Sequence, residues 1–189
     1  MFDLTNKVII ITGGAGLLGQ KHAEAVAEFG AIPIILDLSQ IKATNVAARL
    51  KKEYKVESEG FAVDITSEAQ IKLCCKKLIK QFGKIDVLIN NAANNPKVED
   101  SKEGEKFSRL ENFELDIWDK DIAVGLTGAF LCSKYFGFAI SKNSKGGSII
   151  NISSDLGVIA PDQRLYSKEG LPDDQQPVKP VTYSVVKTG

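Results

Sequence analysis

The run Thr12-Gly13-Gly14-Ala15-Gly16-Leu17-Leu18-Gly19 follows the apolar stretch Lys7-Val8-Ile9-Ile10-Ile11 and opens a helix-like segment, Gln20 to Phe29, that stops at Gly30. A buried strand, a glycine turn and a helix N-terminus in that order constrain the fold and make an anion site. Helix N-terminal N–H groups and the helix dipole favour phosphate, and glycines let the backbone approach it closely. A second apolar run, Ala31-Ile32-Pro33-Ile34-Ile35-Leu36, delivers Asp37 eighteen positions after Gly19. That is close to the ~20 expected for a carboxylate that binds an adenosine ribose. The pattern points to a nicotinamide dinucleotide, with NAD preferred over NADP. Asp37 would accept both ribose hydroxyls and repel a 2′-phosphate, and no Arg or Lys follows it until Lys42.

The remaining sequence alternates strand and helix patterns. Strands are expected over Lys7–Thr12, Ile32–Asp37, Gly60–Asp64, Ile85–Asn90 and Gly147–Ser153, and helices over Leu17–Phe29, Gln40–Tyr54, Ser67–Phe82 and roughly Phe113–Ser141. The strands are apolar nearly throughout, as in a parallel sheet covered on both faces. The third helix carries a capping signature, Ser67 with Gln70 three residues on, and Gly83 as its stop. Right-handed crossovers give an α/β fold, a doubly wound parallel sheet, whose ligand lies beyond the strands' carboxyl ends. The glycine turn, Asp37, Asp64 and Asn90 all fall at that edge.

Composition narrows the partners. With 189 residues, one domain over 1–189 is expected. Lys and Arg are balanced by Asp and Glu, 24 against 24, and are dispersed, so no footprint for nucleic acid is present. The apolar runs are strand-sized and no signal-peptide pattern opens the chain, so neither a membrane span nor secretion is expected. Cys74, Cys75 and Cys132 form an odd set without CxxC, as in a reduced cytoplasmic protein. His22 is the only histidine, and no metal-ligand spacing exists.

Two stretches interrupt the rhythm: a polar loop over Asn94–Glu111 and a proline-bearing insertion over about 155–180. Both leave from the carboxyl edge of the expected sheet, so a lid and plain surface are the two readings. The chain stops at Thr188-Gly189, inside what reads as another helix, and a C-terminally truncated fold is expected.

Several motifs, in order, resemble the short-chain dehydrogenase/reductase family, single-domain type. They are the glycine turn, Asp64-Ile65-Thr66, Asn90-Asn91-Ala92-Ala93, Asn151-Ile152-Ser153-Ser154 and Tyr183-Ser184-Val185-Val186-Lys187. The resemblance implies a Rossmann-type NAD-binding domain and hydride transfer between NAD(H) or NADP(H) and a carbonyl or alcohol. It also implies that Gly13, Gly16 and Gly19 shape the pyrophosphate turn with Leu18 beside it. Asp64 and Ile65 would flank the adenine, and Asn90, Asn91 and Ala92 would line the nicotinamide-side ribose. Ser154, or its neighbour Ser153, would hold the substrate oxygen. Tyr183 and Lys187, also near the cofactor, would manage its proton.

The residues support that chemistry. Tyr183 and Lys187 are i and i+4 on one helix face. A phenol with an ordinary pKa of ~10 is a poor base at neutral pH. An ammonium ~4 Å away at an effective dielectric of ~20 contributes about 4 kcal/mol, or about three pH units, which brings a phenol near neutrality.

Three features depart from the single-domain pattern. The spacing TGxxGxxG resembles the extended branch that works on nucleotide sugars. Gly125 stands where the family commonly has Asn, so a water on the Gly125 carbonyl would have to relay the proton from Lys187. Ser154 precedes Tyr183 by 29 positions, where about a dozen is usual. Tyr166 has the more usual spacing, but Gly170 denies it a lysine at i+4.

The leading expectation is an NAD-dependent oxidoreductase for a polar alcohol or ketone, a sugar-derived one included, as in surface-glycan or flagellin-modification dehydrogenases. A nucleotide-sugar epimerase or dehydratase with retained NAD is one alternative, and a non-catalytic dinucleotide-binding protein another. The apolar fourth helix, like the family resemblance, points to a homodimer or homotetramer.

Overall fold

The computed structural model describes residues 2–94 and 108–189, so most of the polar loop expected over 94–111 lies outside the described residues. The chain divides into two compact units, one of Met1–Ala92 with Thr127–Ile152 and the other of Ala93–Leu126 with Ser153–Gly189.

The first unit holds a sheet of five parallel strands. They are β1 (Val8–Thr12), β2 (Ile32–Asp37), β3 (Glu59–Ala62), β4 (Val87–Asn90) and β5 (Ser148–Asn151), in the order β3-β2-β1-β4-β5. The order reverses at β1, so the glycine turn leaves the sheet at its switch point, where ligands of open α/β sheets bind. Helices α1 (Leu17–Glu28), α2 (Gln40–Tyr54) and α3 (Glu68–Phe82) connect the strands. Ile9, Ile11 and Ile35 pack with Ala23, Ala27, Ala47 and Leu50 into one core. The small residues of α1 let that helix lie close on the sheet.

Two local expectations are corrected. Every β1 residue is buried, but β5 is exposed along its length, with Ile149 and Ile150 at 43% and 45% exposure. Its apolar run is therefore not covered on both faces by the described residues. Ser67 does begin α3, yet its side chain makes no capping bond. Gln70 Oε1 instead accepts the Asp64 N–H at 3.0 Å, which ties the helix to the end of β3.

At the opposite edge of the sheet, Asp86 joins β1 to β4. Its carboxylate accepts the Val8 N–H at 2.9 Å and the ammoniums of Lys7 and Lys84 at 3.1 and 2.8 Å. Burial works to raise its pKa, but the donors from Lys84, Val8 and Lys7 outweigh it and hold the carboxyl below its usual range.

Helix α4 (Leu115–Ile140) has 26 residues and is long and apolar enough to cross a membrane by length and composition. The expectation that apolar runs stay strand-sized misses it, because its apolar residues are spaced among Gly, Thr, Ser and Lys. Within the first unit its residues Leu131, Cys132, Phe136 and Ile140 are buried, and π-helical turns interrupt it at Ala123–Gly128 and Ser133–Gly137. In the second unit α5 (Val181–Thr188) follows the 155–180 insertion. Its Thr182 Oγ1 donates to Asp121 Oδ2 at 2.5 Å, and the other oxygen of this buried carboxylate accepts from Asn94 Nδ2 at 2.7 Å.

Candidate functional site

In the first unit the glycine turn is shaped by backbone approach. Gly13 has φ +60°, which favours glycine, and a Cβ there would lie 3.0 Å from Ala92 Cα. A Cβ on Gly19 would lie 2.2 Å from the Gly13 carbonyl oxygen, closer than atoms can pack. Gly16 caps α1 without a side chain, so the first-turn N–H groups keep their lack of intrahelical acceptors. Leu17 and Leu18 stand 83% and 57% exposed over this helix start. A bare helix N-terminus reached by side-chain-free backbone fits a diphosphate.

Asp37 closes the turn. Its Oδ2 accepts the Ala15 N–H at 3.1 Å and its Oδ1 the Ser39 N–H at 3.3 Å. The carboxylate is thus fixed beside the glycines, with lone pairs left for ribose hydroxyls. Along the same edge, the Val63 N–H donates to the Asp37 carbonyl at 2.9 Å. That bond brings Asp64 and Ile65 next in line. Asp64 Oδ1 accepts from the Thr66 N–H and hydroxyl at 2.9 and 2.7 Å, and Ile65 is buried.

The β4 end is tied to the turn by Thr12, the first residue of the glycine run, whose role sequence reasoning left unassigned. Its hydroxyl oxygen accepts the Asn91 and Ala92 N–H groups at 3.0 and 3.1 Å. Asn91 Nδ2 donates to the carbonyls of Thr12 and Gly13 at 2.9 and 3.2 Å. The signal was available as a hydroxyl residue at the strand end immediately before the glycines. Asn90 is buried, and its Nδ2 donates to Asn151 Oδ1 at 2.8 Å and to Ser133 Oγ at 3.1 Å. These asparagine amides therefore hold β1, β4, β5 and α4 in place. Ala92 remains half-buried against Gly13. His22, on α1, is half-buried, and its Nε2 has no hydrogen-bond partner among the described residues.

The second unit collects Ser153, Ser154, Tyr183 and Lys187. The 155–180 insertion folds as short helical turns, Asp155–Gly157, Gln163–Tyr166 and Asp173–Gln175. Its return is pinned where the Lys179 N–H donates to Gln163 Oε1 at 2.8 Å and the Val178 N–H to Ser108 Oγ at 3.1 Å. Tyr166 ends one of these turns, whereas Tyr183 shares α5 with Lys187. Ser153 Oγ donates to the Lys187 carbonyl at 2.5 Å, and Ser154 Oγ donates to Asp155 Oδ1 at 2.8 Å. Burial holds the Lys187 ammonium below the usual lysine range.

The Tyr183 ring has two cations near it. Lys187 Nζ lies 5.8 Å from the ring centroid and Lys179 Nζ only 3.9 Å. Lys179 is a site residue missed from sequence. It precedes Tyr183 by four positions, but Pro180 separates it from the helix, so helical spacing does not reveal the contact. Gly125 is explained by packing. A Cβ there would lie 2.7 Å from Val186 Cβ, so the valine side chain fills the room that an asparagine would need.

Comparison with known proteins identifies the family and the fold. Residues 7–168 match the family described as short chain dehydrogenase, a match that ends before Tyr183 and Lys187. D-threitol dehydrogenase of Mycolicibacterium smegmatis is 30% identical over 164 residues, covering 87% of this chain and 58% of that protein. NAD-dependent glycerol dehydrogenase of Listeria innocua is 31% identical over 164 residues, covering 87% and 59%. The chain thus spans a little over half the length of these relatives. The fold of an NAD+-bound xylitol dehydrogenase superposes with a TM-score of 0.80 at 24% identity, over 99% of this chain and 62% of that one.

Proposed function

The chain belongs to the short-chain dehydrogenase family, and on that premise we propose that it serves NAD-dependent oxidation of a small polyol, or reduction of the matching ketone. The observation that carries this reading is the glycine turn closed onto Asp37, a diphosphate cradle with a ribose-binding carboxylate at its lip. NAD rather than NADP follows from that carboxylate, which would repel a 2′-phosphate. The names of the threitol and glycerol dehydrogenases favour a polyol over a surface-glycan sugar. Their family also favours a dehydrogenase with net redox turnover over an epimerase that retains its NAD.

In this reading the first-turn N–H groups of α1 bind the pyrophosphate and Asp37 accepts the adenosine ribose hydroxyls. When bound, NAD supplies the hydride acceptor. Ser154 exchanges its bond to Asp155 for one to the substrate hydroxyl and holds that oxygen. Tyr183 Oη takes the hydroxyl proton, and the Lys187 ammonium on the same helix face favours the resulting phenolate. A reduced, cytoplasmic homodimer or homotetramer completes the proposal, with the exposed Phe130 and Leu115 of α4 as apolar contacts.

The test is NADH formation from NAD with a panel of glycerol, threitol, xylitol and related polyols. The expected result is turnover that falls by about 10³-fold in Tyr183→Phe, within the range for a lost general base, while far-UV circular dichroism stays native. Turnover equal in the variant would overturn the role of Tyr183. Absence of any net NADH across the panel would overturn the polyol reading.

A further inference from the structure

The first unit carries a second concave feature, at the opposite edge of the sheet from the glycine turn. It is a groove of about 670 Å³ running between α3 and the last turns of α4. Gly83 and Asn143 lie at its end, and the Asn143 side chain donates to the Ile85 carbonyl at 2.7 Å, just before β4 begins. The cradle, in contrast, lies where β1 and β2 end. Nothing in the proposed reaction uses this groove.

Its walls are apolar. Cys75 and Ile79, one turn apart on α3, face Phe138 and Ala139 of α4. Phe138 is 63% exposed, and the half-buried Cys75 donates its thiol to the Tyr135 carbonyl at 3.6 Å. Burial pushes the Cys75 thiol up, as expected for a desolvated wall. The volume falls within the ~300–1,000 Å³ of small-molecule sites.

The rim is cationic. Lys72, Lys76 and Lys80 recur at i, i+4 and i+8, in one line along α3, and Lys142 stands on the other wall. Among the described residues none of these four lysines forms an ion pair, whereas neighbouring Lys134 is held by Glu68 at 2.7 Å. Lys142 Nζ sits 4.5 Å from the Phe138 ring centroid, which keeps its charge beside the groove. Uncovered apolar walls under unpaired ammonium groups complement a ligand with an apolar body and an anionic head. A helix, about 10–12 Å across with its side chains, would leave most of itself outside so small a groove. A single alkyl chain would not.

We propose that the groove between α3 and α4 binds a single-chain anionic amphiphile, such as a fatty carboxylate, independently of the dinucleotide cradle. The apolar chain lies along Ile79 and Phe138, and the head group meets the lysine rim.

The experiment is calorimetric titration of the purified chain with dodecanoate below its micelle concentration, with dodecanol as the uncharged control. Saturable binding of one dodecanoate per chain is expected, unaffected by saturating NADH. Affinity should fall at least 10-fold in the double variant Lys76→Glu/Lys80→Glu and vanish in Ala139→Trp, which fills the groove. In the unmodified protein, dodecanoate should slow alkylation of Cys75, a readout that holds even where a variant does not fold. Non-saturable uptake, equal affinity for dodecanol, displacement by NADH or unchanged Cys75 alkylation each overturns the proposal. So does sedimentation showing that the same substitutions break a dimer while dodecanoate does not bind, since a second copy would then cover the groove.

Discussion

The glycine turn and the Tyr183 helix are built on different terms. The turn takes its shape from backbone, with Gly13 and Gly19 touching main-chain atoms, and the side chains of Thr12, Asp37 and Asn91 tie that backbone down. It hangs from β1 and β2, whose middle residues are fully buried. The Tyr183 surroundings are side chains brought in from loops, and Lys179 reaches the ring from outside the helix. Ser154 is held by its neighbour Asp155. A backbone device tolerates almost no change at its glycines. A side-chain device degrades in steps, because each lysine contributes part of the environment. Binding should therefore fail abruptly when a glycine is substituted, whereas loss of one of the cations around Tyr183 should cost only a small step in stability.

Among the substitutions around the two sites' supports, the largest expected effect tests the abrupt half. Gly19→Ala should weaken NADH binding at least ~100-fold, about 2.8 kcal/mol at ~1.4 per tenfold, while far-UV circular dichroism stays native. A fall of only a few-fold would show that the turn relaxes around a methyl group, and would erase the contrast.

A second effect measures how rigid the scaffold beneath the turn is. Asp86→Ala leaves two lysines and a buried N–H without their acceptor and should cost about 2 kcal/mol in denaturant unfolding. The carboxylate is buried while Lys7 and Lys84 remain part-exposed, so most of this cost comes from the Val8 N–H left without its acceptor. Burial alone would raise the Asp86 pKa, but its donors from Lys84, Val8 and Lys7 prevail, so the folded value is depressed. A depressed carboxyl stabilises above the unfolded value of about 3.9 and loses that contribution as pH falls through the folded value. The stability gap between wild type and Asp86→Asn should accordingly narrow from about pH 6 to about pH 3. A gap that stays constant would mean that the pair contributes packing rather than charge.

The smallest effect tests the graded half. Lys179→Met removes one of two cations at the Tyr183 ring and should cost about 0.5–1 kcal/mol of stability, the value of an exposed cation–π contact. NADH affinity should not move. A loss as large as that of Asp86→Ala would make the second unit as tightly determined as the first.

The same contrast explains what the sequence made legible. β2 and α2 coincide with their expected ranges, and β1 and α1 fall within one residue, because uninterrupted buried runs and glycine stops are local signals. The shape of the turn was readable for the same reason. Contacts between distant side chains were not: Lys179 meets Tyr183 across a proline, and Val186 displaces any side chain from position 125. The exposure of β5 also escaped, since Ser148-Ile149-Ile150-Asn151 reads alike whether or not its faces are covered. Gln70 and Ser67 fit a capping box by spacing, yet the Asp64 N–H competes for the Gln70 side chain. Only the fold decides that competition.

The central claim is that the glycine turn and Asp37 form an NAD site. It is tested most directly by titrating the purified chain with NADH and NADPH separately, following nicotinamide fluorescence. The account predicts saturable NADH binding, NADPH at least ~10-fold weaker (~1.4 kcal/mol), and a preference that collapses in Asp37→Ala. Equal affinities in the wild-type chain, or a preference that survives Asp37→Ala, would contradict it.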